Sequence, residues 1–246
     1  YGDWSSDVCS SDLFVNLYDA NPSSPFTTWA TAAVNIQDAV DAAVDGDEII
    51  VTNGVYATGA RSWTLDTTTN RVAVTKAVVV RSVNGPQFTF IQGFQVSGTT
   101  NGTNAIRCVA LANGATLSGF TLTNGATRST GFGGGVRCAS TAATVTNCVL
   151  VGNAGGFSTS GLGGGAHSGT LNRCTLIRNS ATSGGGASSA VLNNCTLIGN
   201  TAVSGDGGGA SRATLNNCLV ISNVATYHVH GVGEMRFKSN DATTGE

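Results

Sequence analysis

Three basic side chains follow short apolar segments and could bind an acidic group. Arg107 and Arg137 occupy the tripeptides Ile-Arg-Cys and Val-Arg-Cys, and His167 has the same place in Ala-His-Ser. A guanidinium group binds a carboxylate or a sulfate through paired hydrogen bonds, and an imidazole can add a donor. We therefore expect the three residues to share one outward-facing column and to be candidate substrate-binding residues. The alternative is that they are ordinary solvent-facing side chains.

The distribution of acidic residues disfavours catalysis by paired carboxylates. Between Asp66 and Glu234 the only acidic residue is Asp206. A glycoside hydrolase needs two carboxyl groups beside the scissile bond, and a calcium site needs several oxygen ligands together. The acidic cluster from Asp38 to Glu48 lies on or beside a predicted helix, where we interpret it as a solvated face. We therefore predict no catalytic carboxylates, although an arginine could serve a lyase as its base.

Four cysteines stand in copies of one motif, L-x-x-C-x-[LV]-[IV]-x-N, with Val once in the first position. They are Cys148, Cys174, Cys195 and Cys218. No C-x-x-C pair typical of metal sites occurs among them, and His228 and His230 have no third ligand nearby. Stacked cysteines would have Cβ atoms about 4.8 Å apart, above the usual disulfide range. We expect free, buried thiols that act as small hydrophobic side chains, and no metal or cofactor.

The cysteine motif alternates with glycine triplets. The triplets are Gly133–Gly135, Gly163–Gly165, Gly184–Gly186 and Gly207–Gly209, whose first residues are 30, 21 and 23 positions apart. Each repeat contains apolar runs of three to six residues that are typical of strands. So small a unit cannot bury its own apolar face, whereas a stack of such units can. The period predicts an all-β, right-handed, single-stranded parallel β-helix, since crossovers between parallel strands are right-handed.

Stacking assigns roles to the recurrent residues. The four motif cysteines should form an inward ladder beside leucines of the same motif. The motif ends in Asn153, Asn179, Asn200 and Asn223. We expect these asparagines in a left-handed or bridging turn conformation, which Asn tolerates, with side-chain amides hydrogen bonded along the column.

The segment from Asn35 to Tyr56 resembles the entry to pectin-lyase-like β-helix proteins, which show an I-Q-x-A helix, then G-D-x-I-x-V and G-x-Y. The glycine triplets and the following Leu-Ile-x-Asn are similar to the G-G-A-[ILV] and F-x-x-N repeats of polymorphic outer-membrane proteins, with Leu or Val replacing Phe. A capping α-helix is expected at about residues 35–45, with Asn35 as N-cap and Gly46 after its end. Its apolar face, which includes Val44, would cover the first coil.

These observations divide the chain into four parts. Residues 3–13 resemble the translation of a sequencing adapter, so we expect residues 1–13 to be an artefact or disordered. Residues 14–46 would be the entry segment and cap helix, and residues 47–226 the coils. In residues 227–246 the expected triplet is replaced by His-Gly-Val-Gly, which predicts a degenerate or truncated tail.

Composition excludes several partners. The 246 residues carry a net charge of −2 with a pI of about 5.9, and 41% are hydrophobic. No basic excess is available to neutralise phosphates, so we expect no nucleic-acid partner. The apolar run at residues 77–80 is too short to cross a membrane, and a monomer is expected.

The resemblance covers about residues 36–223 and is specific for fold. It is not specific for activity, because this fold hosts lyases, hydrolases and adhesins alike. We predict a non-catalytic segment of a secreted or cell-surface bacterial protein, acting as a structural, adhesin-like or glycan-contacting scaffold for polysaccharide or cell-surface glycans. The alternative is a carbohydrate-active enzyme similar to polysaccharide lyases, whose catalytic coils lie outside this sequence or whose base is Arg107 or Arg137.

Overall fold

The computed structural model describes residues 11–63, 67–158 and 161–226, together with the backbone of three short strands beyond them. Within these residues the secondary structure is short strands, one α-helix at Ile36–Ala42 and one 3-10 turn at Trp29–Thr31. All pairings between named strands are parallel, and each strand pairs with its equivalent one coil away. The predicted parallel β-helix with an N-terminal helix is confirmed.

Equivalent strands form four sheets, which we call A to D. Sheet A contains Asp12–Val15, Glu48–Val51, Val79–Ser82, Thr116–Ser118, Thr144–Thr146, Thr170–Asn172, Val191–Asn193, Thr214–Asn216 and Arg236–Phe237. Sheet B contains Gly54–Tyr56, Thr89–Gln92, Thr121–Thr123, Val149–Val151, Thr175–Ile177, Thr196–Ile198, Leu219–Ile221 and Thr243–Thr244. Sheet C contains Thr69–Val74, Ile106–Leu111, Val136–Cys138, Ala166–His167, Ala187–Ser188, Ala210–Ser211 and Val232–Gly233. Sheet D contains Ser180–Ala181, Thr201–Ala202 and Val224–Ala225.

The last three described coils turn at intervals of five residues along the first three of their four sides. In the middle one of these coils the turn residues with positive φ are Gly184, Ser189, Asn194 and Gly199. Residues one and three positions after each turn face inward, as Cys174 and Leu176 do, and are buried. The chain thus runs through sheets C, A, B and D in order, and the fourth side absorbs the difference in length between repeats.

Aliphatic columns fill the interior. Sheet A contributes Val80, Leu117, Val145, Leu171, Leu192 and Leu215, and sheet B contributes Ile91, Leu122, Leu150, Leu176, Leu197 and Val220, all at most 2% exposed. The motif cysteines lie where the chain passes from sheet A to sheet B and are buried as well. Burying each large aliphatic side chain contributes about 1.5–3 kcal/mol, so the coil stack is the main source of stability.

A ladder of asparagine side chains runs parallel to the thiols. Asn179 Oδ1 accepts hydrogen bonds from the main-chain N and the Nδ2 of Asn153, both at 3.0 Å. Asn179 Nδ2 donates to Leu150 O at 2.8 Å and to Asn200 Oδ1 at 2.9 Å. The same contacts continue from Asn200 to Asn223. Each rung is thereby satisfied without water.

The left-handed conformation that we predicted as one alternative for these asparagines was wrong. The left-handed residue is the one before each asparagine, namely Gly152, Arg178, Gly199 and Ser222. This turn points the asparagine inward, where its amide bonds to the coils on either side. The asparagine column therefore lies in the core and not in a surface turn.

The glycine triplets are required by close approach between coils. A Cβ on Gly164 would lie 2.3 Å from Ser180 O and 2.4 Å from Gly185 O. The first glycine, Gly163, has a φ of 66°, which other residues adopt at a cost. Small size and a left-handed turn thus explain the triplet within the coil.

The cap helix is shorter than predicted. Asn35 Oδ1 accepts the Asp38 N–H at 2.9 Å and caps its start, and Ile36, Ala39 and Val40 are buried. The helix ends at Ala42, so the predicted end at residue 45 was wrong, and Val44 is 54% exposed. The carboxylate of Asp47 accepts the Val44 N–H at 2.8 Å, which draws the chain out of the helix toward sheet A.

The strand Asp12–Val15 extends sheet A beyond Glu48–Val51. Leu13 is 3% exposed, so the predicted boundary after residue 13 falls within this strand, while residues 1–10 lie outside the described residues. In the predicted tail, the strands at 232–233, 236–237 and 243–244 pair with sheets C, A and B. His228 and His230 lie outside the described residues.

Candidate functional site

Strand register separates the two arginines that we expected in one column. Arg137 pairs with Ala110 on the preceding coil and with His167 on the next. Arg107 stands three residues before Ala110 and pairs with Asn70. The prediction that Arg107 shares the column of Arg137 and His167 was therefore wrong. The column of sheet C that contains Arg137 and His167 also contains Ala73, Ala110, Ser188 and Ser211, and only Arg137 and His167 in it are not fully buried.

Arg107 is buried, with 1% of its surface exposed. Its Nε donates to Gly133 O at 2.8 Å and to Phe132 O at 3.2 Å, and its Nη2 donates to Phe132 O at 2.8 Å. Its Nη1 donates to Asn70 Oδ1 at 2.5 Å. Because Arg107 is buried and its guanidinium binds these acceptors, it is not placed as the surface contact that we expected, nor as the base of the alternative enzyme.

The outer face of sheet C carries a cluster of two basic side chains and one aromatic ring. The guanidinium Cζ of Arg137 lies 4.9 Å from the centre of the Phe132 ring. The His167 imidazole stacks on the same ring, with centroids 4.9 Å apart and planes inclined by 27°. All three side chains are half-buried. We call Phe132, Arg137 and His167 the basic–aromatic cluster.

Sequence reasoning missed Phe132. It directly precedes a glycine triplet, at a position taken by Leu162, Ser183 and Asp206 in the later coils. An aromatic residue in a place otherwise aliphatic or polar was the available signal. Its ring restrains Arg137 and His167, because a cation over an aromatic face and a stacked imidazole are both favourable contacts.

Asp206, the single acidic residue among residues 67–226, lies away from this cluster. The backbone of Asp206 follows that of Phe132 by three coils, since each first glycine bonds to the equivalent residue of the next coil. At about 4.8 Å per coil this is about 14 Å along the axis. Residues 67–226 thus offer basic donors without a pair of carboxylates that could act as acid and base.

Charge is segregated along the chain, which the net charge of −2 conceals. Residues 11–63 include seven Asp and Glu residues and one Arg, whereas residues 67–226 include nine Lys and Arg residues and one Asp. Four of these nine cations precede Cys108 in the chain, and their charged groups bond to main-chain carbonyls or to Glu48: Arg71, Lys76, Arg81 and Arg107. The other five are half-buried or exposed on the coils: Arg128, Arg137, Arg173, Arg178 and Arg212.

The cysteine thiols are buried and have raised pKa values, so they are poorly reactive. All six cysteines among the described residues are free and buried. Burial raises the pKa of Cys138 to about 12 and that of Cys148 to about 11. Hydrogen bonding to the Cys174 side chain is the main cause that raises the pKa of Cys195 to about 12. Protonated thiols are poor nucleophiles and ligands, and no group of three or more potential metal ligands occurs within the described residues.

Comparison with known proteins identifies the fold. No family model matches the sequence, and no curated protein matches it either. Among solved structures, pectin methylesterase from carrot is 14% identical with a TM-score of 0.51, over 97% of this chain and 65% of its own. A pectin methylesterase in complex with hexasaccharide VII is 13% identical with a TM-score of 0.51, over 93% and 71%. Pectate lyase Pel9A is 12% identical with a TM-score of 0.53, over 93% and 63%.

These likenesses show the right-handed, pectin-lyase-like parallel β-helix fold that the sequence predicted. The chain spans about two thirds of the length of the solved structures that it resembles. In its described part, no helix combines the length and the apolar character that a membrane crossing requires.

Proposed function

We propose that this β-helix is a non-catalytic scaffold of a secreted or cell-surface protein and that its basic–aromatic cluster contacts an acidic polysaccharide. The observation that carries the proposal is the position of Arg137 on the outer face of sheet C, restrained by Phe132 and next to His167. The likeness to a fold found in pectin methylesterases, one of them holding a hexasaccharide, supports a carbohydrate-related role.

The chemistry of the cluster favours an anionic sugar. A guanidinium group can bind a carboxylate or a sulfate with two parallel hydrogen bonds. Because Phe132 already restrains Arg137, less side-chain entropy is lost on binding. His167 follows at about the spacing of one coil, 4.8 Å, and adds a hydrogen-bond donor beside the same acidic group. A neutral sugar offers no partner of comparable strength.

Binding to soluble polygalacturonate, measured by calorimetry at low salt, tests the proposal. We expect Arg137→Ala to weaken binding about tenfold, which corresponds to about 1.4 kcal/mol. Arg178→Ala is the matched control, because Arg178 is exposed on the corner between sheets B and D, and we expect a change below about twofold. Equal losses in both variants, or none in Arg137→Ala, would refute a specific contact at sheet C.

A lyase is the second candidate, favoured by the likeness to pectate lyase Pel9A and by the half-buried Arg137 on the outer sheet face. A lyase removes a proton beside the uronate carboxylate and leaves an unsaturated sugar, which absorbs ultraviolet light. Steady formation of such a product by the intact chain, abolished in Arg137→Ala, would replace the scaffold proposal. The scaffold proposal predicts no absorbance change with any uronic-acid polymer.

A further inference from the structure

We infer that Arg107 is a positioning residue that sets the location of Phe132, and with it the geometry of the basic–aromatic cluster. The ligand of the cluster rests on the proposed function, whereas the positioning role rests on contacts within the fold. The Arg107 side chain donates hydrogen bonds to the carbonyls of Phe132 and Gly133 and to Asn70 Oδ1.

The later coils show why a side chain is needed here. The carbonyls of Leu162, Ser183 and Asp206 each accept the N–H of the first glycine of the preceding coil. Phe132 holds the equivalent position, but the coil before it has no glycine triplet. The guanidinium of Arg107 supplies the donors to the Phe132 carbonyl in place of that missing N–H.

Asn70 fixes the Arg107 guanidinium in the orientation that binds the carbonyls of Phe132 and Gly133. Asn70 is 1% exposed and pairs with Arg107 in sheet C. Its Nδ2 donates to Arg61 O at 3.0 Å, which turns its Oδ1 toward Arg107 Nη1. A planar guanidinium with donors on three nitrogens reaches all of these acceptors at once, whereas the single ammonium of a lysine cannot.

Phe132 is therefore fixed from two sides. Its following residue, Gly133, donates to Leu162 O of the next coil at 3.0 Å, and Arg107 binds its carbonyl from the preceding coil. Loss of the Arg107 contacts would leave the carbonyls of Phe132 and Gly133 without these donors. The loop would then shift, and the Phe132 ring would leave Arg137 and His167.

The experiment uses the ring-current shift that Phe132 imposes on the His167 imidazole protons, observed by NMR. The chain has three histidines, and a His167→Asn variant identifies the signal. We expect Arg107→Gln and Arg107→Lys to move the His167 signals toward the positions found in Phe132→Leu. Arg71→Gln is the matched control, because Arg71 is also buried but bonds to Gln92 O and Gly59 O, and we expect it to leave the signals in place.

Polygalacturonate binding gives the second readout. We expect Arg107→Lys to weaken binding several-fold although Arg107 is buried, and Arg71→Gln to bind like the unchanged protein. If Arg107→Gln does not fold, the lysine variant decides. Unshifted His167 signals in a folded Arg107 variant would overturn the inference. If the unchanged protein binds no acidic polysaccharide, the proposed function fails, while the NMR comparison still decides the role of Arg107.

Discussion

Replacing Asn179 by Ala removes one rung from the middle of the asparagine ladder. The main-chain N–H of Asn153 loses its acceptor, and Leu150 O loses the Asn179 Nδ2 donor. Asn153 and Asn179 are each 1% exposed, so water does not reach these groups. A buried group left without its hydrogen bond costs about 1–3 kcal/mol. We therefore expect Asn179→Ala to lower the free energy of unfolding by about 2–5 kcal/mol.

Asn193→Ala is the matched control. Asn193 also makes two bonds to stacked asparagines, donating to Asn172 Oδ1 at 2.8 Å and accepting from Asn216 Nδ2 at 2.7 Å. It lies on the outer face of sheet A and is only partly buried, so water can replace both bonds. We expect a loss below about 1 kcal/mol.

Urea denaturation and amide hydrogen exchange together measure the effect. The midpoint of unfolding should fall much further for Asn179→Ala than for Asn193→Ala, and the Asn153 amide should exchange faster only in the former. Equal midpoints in the two variants, with the Asn153 amide still protected, would refute the argument that the inward ladder is needed to satisfy buried main-chain groups.

Three further predictions concern the turns, the thiols and the cap. Gly164→Ala should lower the free energy of unfolding by about 3 kcal/mol or more, because the added Cβ would overlap two carbonyl oxygens. Gly102→Ala is the control: its added Cβ would have its nearest neighbour at 3.4 Å, so the loss in the same urea assay should be about 1 kcal/mol or less. Equal losses in the two variants would contradict this prediction. Burial raises the pKa of Cys138 to about 12 and that of Cys148 to about 11, whereas an unfolded thiol has a pKa of about 8.5. The contribution of these protonated thiols to stability is therefore complete below about pH 8.5. It falls as the pH rises from about 8.5 toward the folded pKa values, by up to about 1.4 kcal/mol per pH unit for each thiol. Cys138→Ala should make that fall shallower in urea titrations at pH 8 to 10.5, and an unchanged slope would count against the prediction. Asn35→Ala should cost about 1 kcal/mol through loss of the helix cap, seen as a lower thermal midpoint, and a midpoint equal to that of the unchanged protein would show that the cap adds nothing.

The repeated part of the fold was readable from the sequence because two periods coincide there. Alternation in Thr-Leu-Asn and Thr-Leu-Ile fixes which side chain faces inward, and a constant spacing from triplet to cysteine fixes how coils align. Residues such as Leu171 and Leu192 therefore pair as the pattern implies.

The weaker coils could not be aligned in this way. The strand Ile106–Leu111 is apolar except at Arg107, so its alternation does not distinguish one register from another. Similarity of Ile-Arg-Cys to Val-Arg-Cys suggested one alignment, whereas the structure pairs Cys138 with Leu111. The position of Phe132 against Arg137 and His167 depends on that register and on a turn between sheets. Neither the register nor the turn can be read from the local spacing of residues in the sequence.

The end of the cap helix could not be predicted from the sequence for a different reason. Val44 continues the apolar face of the cap helix in sequence, and this periodicity alone favours extending the helix. The outcome depends on the Asp47 carboxylate, which captures the Val44 N–H, and on the Gly46 N–H, which bonds to Ala77 O on the next coil. One local side-chain contact and one contact to the next coil thus override the apolar periodicity.

The 21-residue coil from Gly163 to Ser183 presents nearly the same columns at both of its faces. Ala166 meets Ala187, and Leu176 meets Leu197. A tandem duplication of this segment would therefore find a matching surface above and below, and would lengthen the rod by about 4.8 Å. Copying this unit would therefore lengthen the stack by whole coils and add a second copy of His167 next to the basic–aromatic cluster, whereas deleting it would remove His167 from the cluster.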